Sequence, residues 1–257
     1  MGRHMDNDDA QVGRILTRRE VIALLSVAGA GAVASRLGAQ PGVGAATPAA
    51  GARVWVPACV VTPAQTEGPY FVDEKLNRAD IRPDPTNGKV SGGAPLDIEI
   101  RVYRVANGAC TPYQNAMVDI WQCDAMGLYS DVRDSNGFFN TAGQKFLRGY
   151  QLTDASGVAK FTTIYPGWYQ GRTVHIHFKV RSSAGARAAE FTSQLYFDDA
   201  VSDKVFAQAP YNTKSGNRTR NERDGIFGRG GRQLMLAVSE QGAGYKSSFD
   251  IGLTTQA

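Results

Sequence analysis

Histidine and cysteine, two side chains that commonly bind metal ions, are scarce in this 257-residue chain, which contains three of each. No two cysteines have the CxxC spacing, and this absence argues against a cysteine metal site. Cys59 and Cys110 are predicted to lie in loops or at strand edges, where they are candidates for a disulfide. Cys123 ends an apolar run and is predicted to be a buried thiol.

Long apolar runs and clusters of one charge are also lacking. No stretch reaches the roughly 18 uncharged apolar residues that span a bilayer, so no membrane-spanning segment is predicted. The net charge is +4, but no cluster of Lys and Arg marks a nucleic-acid surface. The composition therefore predicts a globular chain that neither binds nucleic acid nor spans a membrane.

The N-terminal segment, residues 1–46, has the layout of an export signal. Arg18 and Arg19 precede an apolar, Ala/Gly-rich stretch, Val21–Ala34, which is too short to span a membrane. An amphipathic helix is the alternative, but the stretch lacks a polar face. We predict that the segment is cleaved and that the twin-arginine export machinery carries the protein to the periplasm or the extracellular space. One domain then remains, over residues 47–257.

Strong helical periodicity is absent after residue 46, and short apolar runs with alternating polar positions occur instead. Such alternation has the period of a half-buried β-strand. The predicted strands are residues 95–105, 115–123, two runs within 148–167, 174–180, 192–197, 233–240 and 247–253. The two runs within 148–167 flank the turn sequence Asp154–Gly157 and predict a hairpin. The last two strands are predicted to form a closing pair.

One short helix is predicted within residues 198–210, where Asp198 or Asp199 can cap its N-terminus. Residues 211–233 are polar and Gly-rich, and they predict a surface loop, either at the edge of a pocket or as a solvated linker. Short strands with frequent turns indicate an all-β fold. We expect a β-sandwich core with long connecting loops and at most one short helix.

Two of the three histidines lie at i and i+2 in a predicted strand. Side chains with this spacing point to the same face of a strand, so His175 and His177 point together. Their neighbours Val174, Ile176 and Phe178 then point to the core. Two imidazoles about 7 Å apart at their backbones can converge on one metal ion. A pair of exposed or hydrogen-bonded strand histidines is the alternative.

Two imidazoles alone leave a metal site short of ligands, and the remaining histidine lies in the leader. A tyrosine phenolate is a hard anionic donor, and a trivalent ion such as ferric iron can hold it ionised at neutral pH. Tyr165 and Tyr169 are nearby candidates, and Tyr129 follows a predicted strand, but spacing does not choose among the ten tyrosines. Arg172 just before the histidine pair requires an anionic partner, which a substrate or a tyrosinate would supply.

Four segments resemble, in order, the intradiol ring-cleavage dioxygenases, a family of non-haem ferric enzymes. They are TPAQTEGPYF at 62–71, VDIWQCDAMGLYSDV at 118–132, the run 149–180 that contains PGWYQGRTVHIHF, and SQLYF at 193–197. The PGxY element followed by an arginine and HxHF is far more specific than HxH alone. The resemblance extends from about Thr62 to about Phe227.

The resemblance implies one non-haem Fe(III) per chain, and it selects two of the tyrosines. The implied iron ligands are Tyr129, Tyr169, His175 and His177. The implied catalytic residues are Arg172, which would stabilise negative charge on the substrate, Tyr169, which would accept a substrate proton, and Gln194. The implied pocket residues are Gly68, Pro69 and Tyr70.

The implied activity is the cleavage of catechol-type diols by O2 between the two hydroxyl-bearing carbons, which gives muconate-type dicarboxylic acids. A non-catalytic exported β-sandwich that binds carbohydrate or peptide is the alternative, and a copper site that uses the two histidines is another. The chain lacks the long helical dimerisation region of some family members, and only QG separates Tyr169 from Arg172. Neither the preferred catechol nor the oligomeric state follows from the sequence.

Overall fold

The computed structural model describes residues 60–133, 139–182 and 189–254. Within these residues the alternating runs form nine β-strands, and one α-helix lies between the seventh and eighth strands. The elements are β1 (Pro95–Ala106), β2 (Ala109–Pro112), β3 (Met117–Trp121), β4 (Arg148–Leu152), β5 (Val158–Ile164), β6 (His175–Arg181), β7 (Glu190–Tyr196), α1 (Asp199–Phe206), β8 (Ser239–Gln241) and β9 (Gly244–Thr254). Three short 3-10 helices lie between α1 and β8. The predicted leader and Cys59 lie outside the described residues.

The first sheet is built around β1. β2 and β5 pair antiparallel along one side of β1, and β9 pairs parallel along the other side. Ile100 therefore lies opposite Ala159 on β5 and opposite Phe249 on β9. β8 pairs antiparallel with β9 and completes the sheet. A closing pair therefore forms as predicted, but its first strand begins at Ser239 and not near residue 233.

The second sheet has the order β4–β3–β6–β7, and all its pairs are antiparallel. His177 near the start of β6 lies opposite Trp121 at the end of β3 and opposite Gln194 on β7. The loop that leaves β3 and the loop that enters β6 consequently meet at the same end of the sheet.

The hydrophobic core lies between the two sheets. β1 contributes Ile98 and Ile100, β3 contributes Ile120, and β6 contributes Ile176 and Phe178, all almost fully buried. Full burial of one such side chain stabilises a fold by about 1.5–3 kcal/mol. The prediction of an all-β sandwich with one short helix is confirmed.

The hairpin predicted within residues 148–167 is wrong, although both of its strands form. β4 pairs with β3 in the second sheet, whereas β5 pairs with β1 in the first. The turn between them closes with a hydrogen bond of 2.9 Å from the Asp154 amide to the Val158 carbonyl. This turn reverses the chain as predicted, but it carries the chain from one sheet to the other, because the strand partners come from distant parts of the sequence.

The strand predicted over residues 233–240 is largely wrong as well. A 3-10 helix occupies Gly231–Leu234, and only β8 is a strand. Leu234 and Leu236 are buried, and the Leu236 amide donates to the Tyr196 carbonyl at 2.8 Å. The apolar residues of this run are therefore used for packing and not for regular pairing.

The helix and two of the cysteines match their predictions. Asp198 caps α1, since its carboxylate accepts from the Ala200 amide at 2.7 Å. Cys110 is disulfide-bonded, and Cys123 is a buried free thiol. Among the described residues, no helix is both long and apolar enough to cross a membrane.

Candidate metal centre

The histidine pair lies on β6 with both rings on the face that points away from the core. Ile176 and Phe178 pack between the sheets, whereas His175 and His177 occupy the opposite face. Both histidines are nevertheless buried, with 2% and 1% of their surface exposed. The His177 ring stacks on Trp121 of β3, with the centroids 4.9 Å apart and an angle of 8°. Two buried imidazoles therefore lie on the outer face of the second sheet.

Two loops bring tyrosines to this pair. Tyr129 lies in the loop after β3 and Tyr169 in the loop before β6, and their hydroxyls lie 3.3 and 3.1 Å from Nε2 of His175. Nε2 of His177 lies 3.0 Å from the same atom. Two nitrogens and two oxygens therefore converge. Tyr165 is not among them, because its hydroxyl bonds to a serine of α1 at 2.8 Å.

Both imidazoles are neutral and turn a ring nitrogen toward the cluster. Nδ1–H of His175 donates to the Thr173 carbonyl at 2.6 Å, which leaves the lone pair on Nε2. Burial, reinforced by the charge of Arg172, lowers the pKa of His175 to about 3. Burial and the neighbouring His175 also lower the pKa of His177. Neutral imidazole is the form that binds metal ions.

The two phenols need a cation to ionise. Burial raises the pKa of Tyr129 and of Tyr169 well above the ordinary value even though Arg172 is nearby, so both are protonated when no metal ion is bound. Atoms bonded to one metal ion at about 2 Å are spaced about 3 Å apart, and the other three donors lie 3.0–3.3 Å from Nε2 of His175. Within the described ranges, no group of three or more His, Cys, Asp or Glu side chains is placed to hold a metal. A metal at β6 would therefore depend on the tyrosines.

The segment TEGPY lies against the cluster. The Tyr70 ring stacks on Tyr129 with the centroids 4.7 Å apart. Gly68 has φ +72°, and a Cβ at this position would lie 3.2 Å from Cε1 of His177. Pro69 is exposed between them. Of the three predicted pocket residues, the structure thus brings Gly68 close to His177 and stacks Tyr70 on Tyr129.

Arg172 and Gln194 lie side by side at the edge of the cluster. Nη2 of Arg172 donates to Oε1 of Gln194 at 2.5 Å, and Nε2 of Gln194 donates to the Thr66 carbonyl at 3.0 Å. Burial alone would lower the pKa of Arg172, but Tyr169 and Asp224 raise it above its ordinary value. A permanent positive charge therefore lies beside the two imidazoles and two phenols.

Sequence reasoning missed two residues that support the cluster. Asp224 is 3% exposed and pairs with Arg172, although it lies within the segment predicted as a surface loop. Lys214, from the same segment, donates to the carbonyls of Met126 and Trp168, each at 2.5 Å. These carbonyls belong to the two loops that carry the tyrosines. No periodicity distinguishes one buried aspartate or one bridging lysine in a polar stretch. The sequence pattern therefore did not predict either residue.

Comparison with known proteins identifies the family. A dioxygenase family model matches residues 66–222, a span that includes all four donor residues. The fold also matches an intradiol ring-cleavage dioxygenase from Tetranychus urticae, with a TM-score of 0.66 and 29% identity, over 76% of this chain and 95% of that chain. This chain belongs to the intradiol ring-cleavage dioxygenases.

Two bacterial intradiol relatives support the assignment. The chain is 30% identical over 198 residues to the protocatechuate 3,4-dioxygenase beta chain of Burkholderia cepacia. The aligned region covers 72% of this chain and 76% of the relative. It also matches the dioxygenase domain of a dioxygenase carbohydrate-binding protein fusion from Streptomyces sp. SirexAA-E, with a TM-score of 0.53 and 29% identity, over 77% of this chain and 100% of that chain. Intradiol dioxygenases are oxidoreductases, so the chain is an enzyme and the binding-module alternative is not supported.

Proposed function

We propose that this enzyme is a non-haem Fe(III) dioxygenase that cleaves catechol-type diols between the two hydroxyl-bearing carbons. One observation carries the proposal: two imidazole nitrogens and two phenol oxygens converge, with spacings of 3.0–3.3 Å to Nε2 of His175. Phenolate oxygen is a hard ligand and favours ferric iron over copper. The iron would be held by Tyr129, Tyr169, His175 and His177.

The proposed reaction needs only the diol and O2. The bond between the two hydroxyl-bearing carbons breaks, and each carbon gains one oxygen atom, so that the product is a muconate-type dicarboxylic acid. The four electrons that reduce O2 come from the ring, and no further reductant is consumed. Bound ferric iron would draw electron density from the catecholate and make a ring carbon reactive toward O2.

The two tyrosines have different surroundings, which suggests different roles. Tyr129 is completely buried and stacked against Tyr70, so it is suited to stay in place. Tyr169 is partly exposed on the loop that enters β6. The ordinary pKa of a tyrosine phenol is near 10, so a phenolate released from the metal would accept a proton at neutral pH. We assign to Tyr169 the acceptance of one catechol proton.

Arg172 supplies the charge complement to the reacting ring. Its guanidinium is largely covered beside the donor cluster and is held on two sides, by Asp224 and by Gln194. A fixed cation in a site of low polarity stabilises negative charge that develops on the substrate, without reorganisation during the reaction. Gln194 acts through Arg172, whose orientation it helps to fix.

A visible spectrum of the iron-loaded protein under argon tests the proposal, before and after the addition of catechol and then after the admission of air. We expect a broad tyrosinate-to-iron absorption that shifts with catechol, and a muconate absorbance that grows only with O2. A copper-loaded sample is the matched control and is expected to form no muconate. A protein that stays colourless and inert after ferric reconstitution contradicts the proposal.

We also propose that the enzyme is exported, with residues 1–46 as a twin-arginine signal. The disulfide at Cys110 supports this proposal, since disulfides persist in oxidising compartments. The test compares the cellular fractions of the full chain and of an Arg18→Lys/Arg19→Lys variant. We expect a shortened protein outside the cytoplasm for the full chain only. Equal export of both proteins contradicts the twin-arginine route.

A further inference from the structure

We propose that Asp224 is a positioning residue that holds the Arg172 guanidinium in place at the metal centre. The expected effect of Asp224 on catalysis rests on the proposed function. Its placement beside Arg172 rests only on the contacts in the structure. Asp224 lies just beyond residues 66–222, the span matched by the dioxygenase family model. It approaches the site from a segment that follows α1, 52 positions after Arg172 in the sequence.

Four N–H groups donate hydrogen bonds to the Asp224 carboxylate, two to each oxygen. Oδ2 accepts from Nε of Arg172 at 3.0 Å and from the Thr173 amide at 2.8 Å. Oδ1 accepts from the amides of Ile226 and Phe227 at 2.7 and 3.1 Å. Burial would raise the pKa of Asp224, but Arg172 and these amides lower it below the ordinary value. The carboxylate is therefore a fixed anion with one orientation.

This anion determines where the arginine charge lies. Asp224 binds Nε and Gln194 binds Nη2, so the guanidinium plane is held at two points. Among the described residues, Nη1 of Arg172 has no hydrogen-bond partner. A buried guanidinium without its anion is strongly unfavourable, and removal of Asp224 would let Arg172 turn toward water, away from the substrate.

Asp224 also acts on a histidine ligand through the main chain. It accepts from the Thr173 amide, and the Thr173 carbonyl accepts from Nδ1–H of His175. One carboxylate therefore bonds both to the guanidinium and to Thr173, the residue whose carbonyl sets the His175 tautomer. Since the guanidinium stabilises charge that develops during the reaction, loss of Asp224 should lower kcat more than it changes KM.

The first experiment compares Asp224→Asn with wild type and with Asp203→Asn. Asp203→Asn is a control that makes the same change at an exposed position of α1, where Asp203 pairs with Arg218 and Arg220. An asparagine keeps the shape of Asp224 but turns an NH2 group toward one pair of its N–H donors. We expect kcat for catechol cleavage to fall about tenfold to hundredfold in Asp224→Asn, with the control unchanged. Wild-type kcat in Asp224→Asn overturns the proposal.

A double-mutant cycle separates positioning from a general loss of structure. If Asp224 acts through Arg172, Asp224→Asn should cause no further fall in kcat when it is combined with Arg172→Gln. The tyrosinate-to-iron absorption should persist in every variant, since no iron ligand is changed. Losses that multiply in the double variant, or an absorption that disappears with Asp224→Asn alone, would show that Asp224 does not act by positioning Arg172.

A readout that is independent of catalysis distinguishes this proposal from the proposed function. In the full chain loaded with diamagnetic Ga³⁺, the Nε–H resonance of Arg172 is identified by its absence from Arg172→Gln. We expect slow solvent exchange of this proton in wild type and in Asp203→Asn, and fast exchange in Asp224→Asn. Slow exchange in Asp224→Asn overturns the positioning role, whether or not the iron-loaded protein cleaves catechol.

Discussion

At the scale of single residues, the site depends on how closely the main chain approaches a histidine ring. Gly68 passes over the edge of His177 with φ +72°, and the space for a Cβ is only 3.2 Å from Cε1 of that ring. Gly88 has nearly the same φ, +74°, but open space around it. These two glycines have the same backbone requirement, and only one of them touches the candidate metal centre.

The Gly68→Ala variant should lose iron as well as stability. An L-residue in the left-handed region costs roughly 1–2 kcal/mol, and this loss should appear in Gly68→Ala and in Gly88→Ala alike. Only Gly68→Ala also pushes on the His177 ring. We therefore expect faster release of iron to a chelator in Gly68→Ala, followed by the decay of the visible absorption. Equal release from both variants contradicts this account.

The buried histidines predict a pH dependence for the metal-free protein. The pKa of His175 is about 3 in the folded chain, against an ordinary value of 6.5. The unfolded chain therefore binds protons first as the pH falls, and the free energy of unfolding decreases from about pH 6.5 downward, by at most about 1.4 kcal/mol per pH unit for each imidazole.

Urea unfolding at a series of pH values below neutrality measures this effect. A His175→Gln/His177→Gln variant should show a shallower loss of stability with acid than wild type, since carboxylates elsewhere titrate equally in both proteins. Parallel curves for the two proteins would contradict the assignment of buried, neutral imidazoles.

At the scale of elements, the centre is made by two loops fixed to one strand pair. The sequence was sufficient to predict that His175 and His177 lie on one face of a strand, because the two-residue period of a strand is a local pattern. It did not predict how the Tyr129 and Tyr169 loops are joined, because Lys214 reaches both loops from a distant segment. Nζ of Lys214 also lies 4.4 Å from the centre of the Trp168 ring.

Lys214→Met should loosen both tyrosine loops together. Each lost hydrogen bond from a charged group is worth about 1.5–3 kcal/mol at most, and the freed loops should broaden or shift the tyrosinate-to-iron absorption. Lys214→Arg keeps the donor and should restore most of the wild-type spectrum. Lys204→Met, on the exposed side of α1, is the control. An unchanged spectrum in Lys214→Met would argue against the bridge.

At the scale of the whole molecule, the core and the candidate centre lie on opposite faces of the second sheet. Alternation along the chain predicted most strands and the sandwich, because burial on one face imposes that pattern. It did not predict that β4 and β5 belong to different sheets, because pairing over a long sequence distance leaves no local pattern. The buried role of Asp224 was missed for the same reason.

A core substitution in the first sheet should therefore reduce stability without changing the candidate metal centre. Ile100→Ala removes a fully buried side chain on β1 and should cost about 2–5 kcal/mol. Val90→Ala, at a 55% exposed position, should cost little. Below the unfolding transition, we expect the visible spectrum of Ile100→Ala to match that of wild type. A shifted spectrum would mean that the two faces are coupled.

The parallel pairing of β1 with β9 has a consequence for the order of events during synthesis. β1 is the first strand of the described chain, and its partner β9 is the last. A nascent chain still attached to the ribosome cannot close the first sheet until residues near 254 have emerged from the exit tunnel. The second sheet has no such delay, because all four of its strands lie before residue 197, so its strands are complete earlier in synthesis than those of the first sheet.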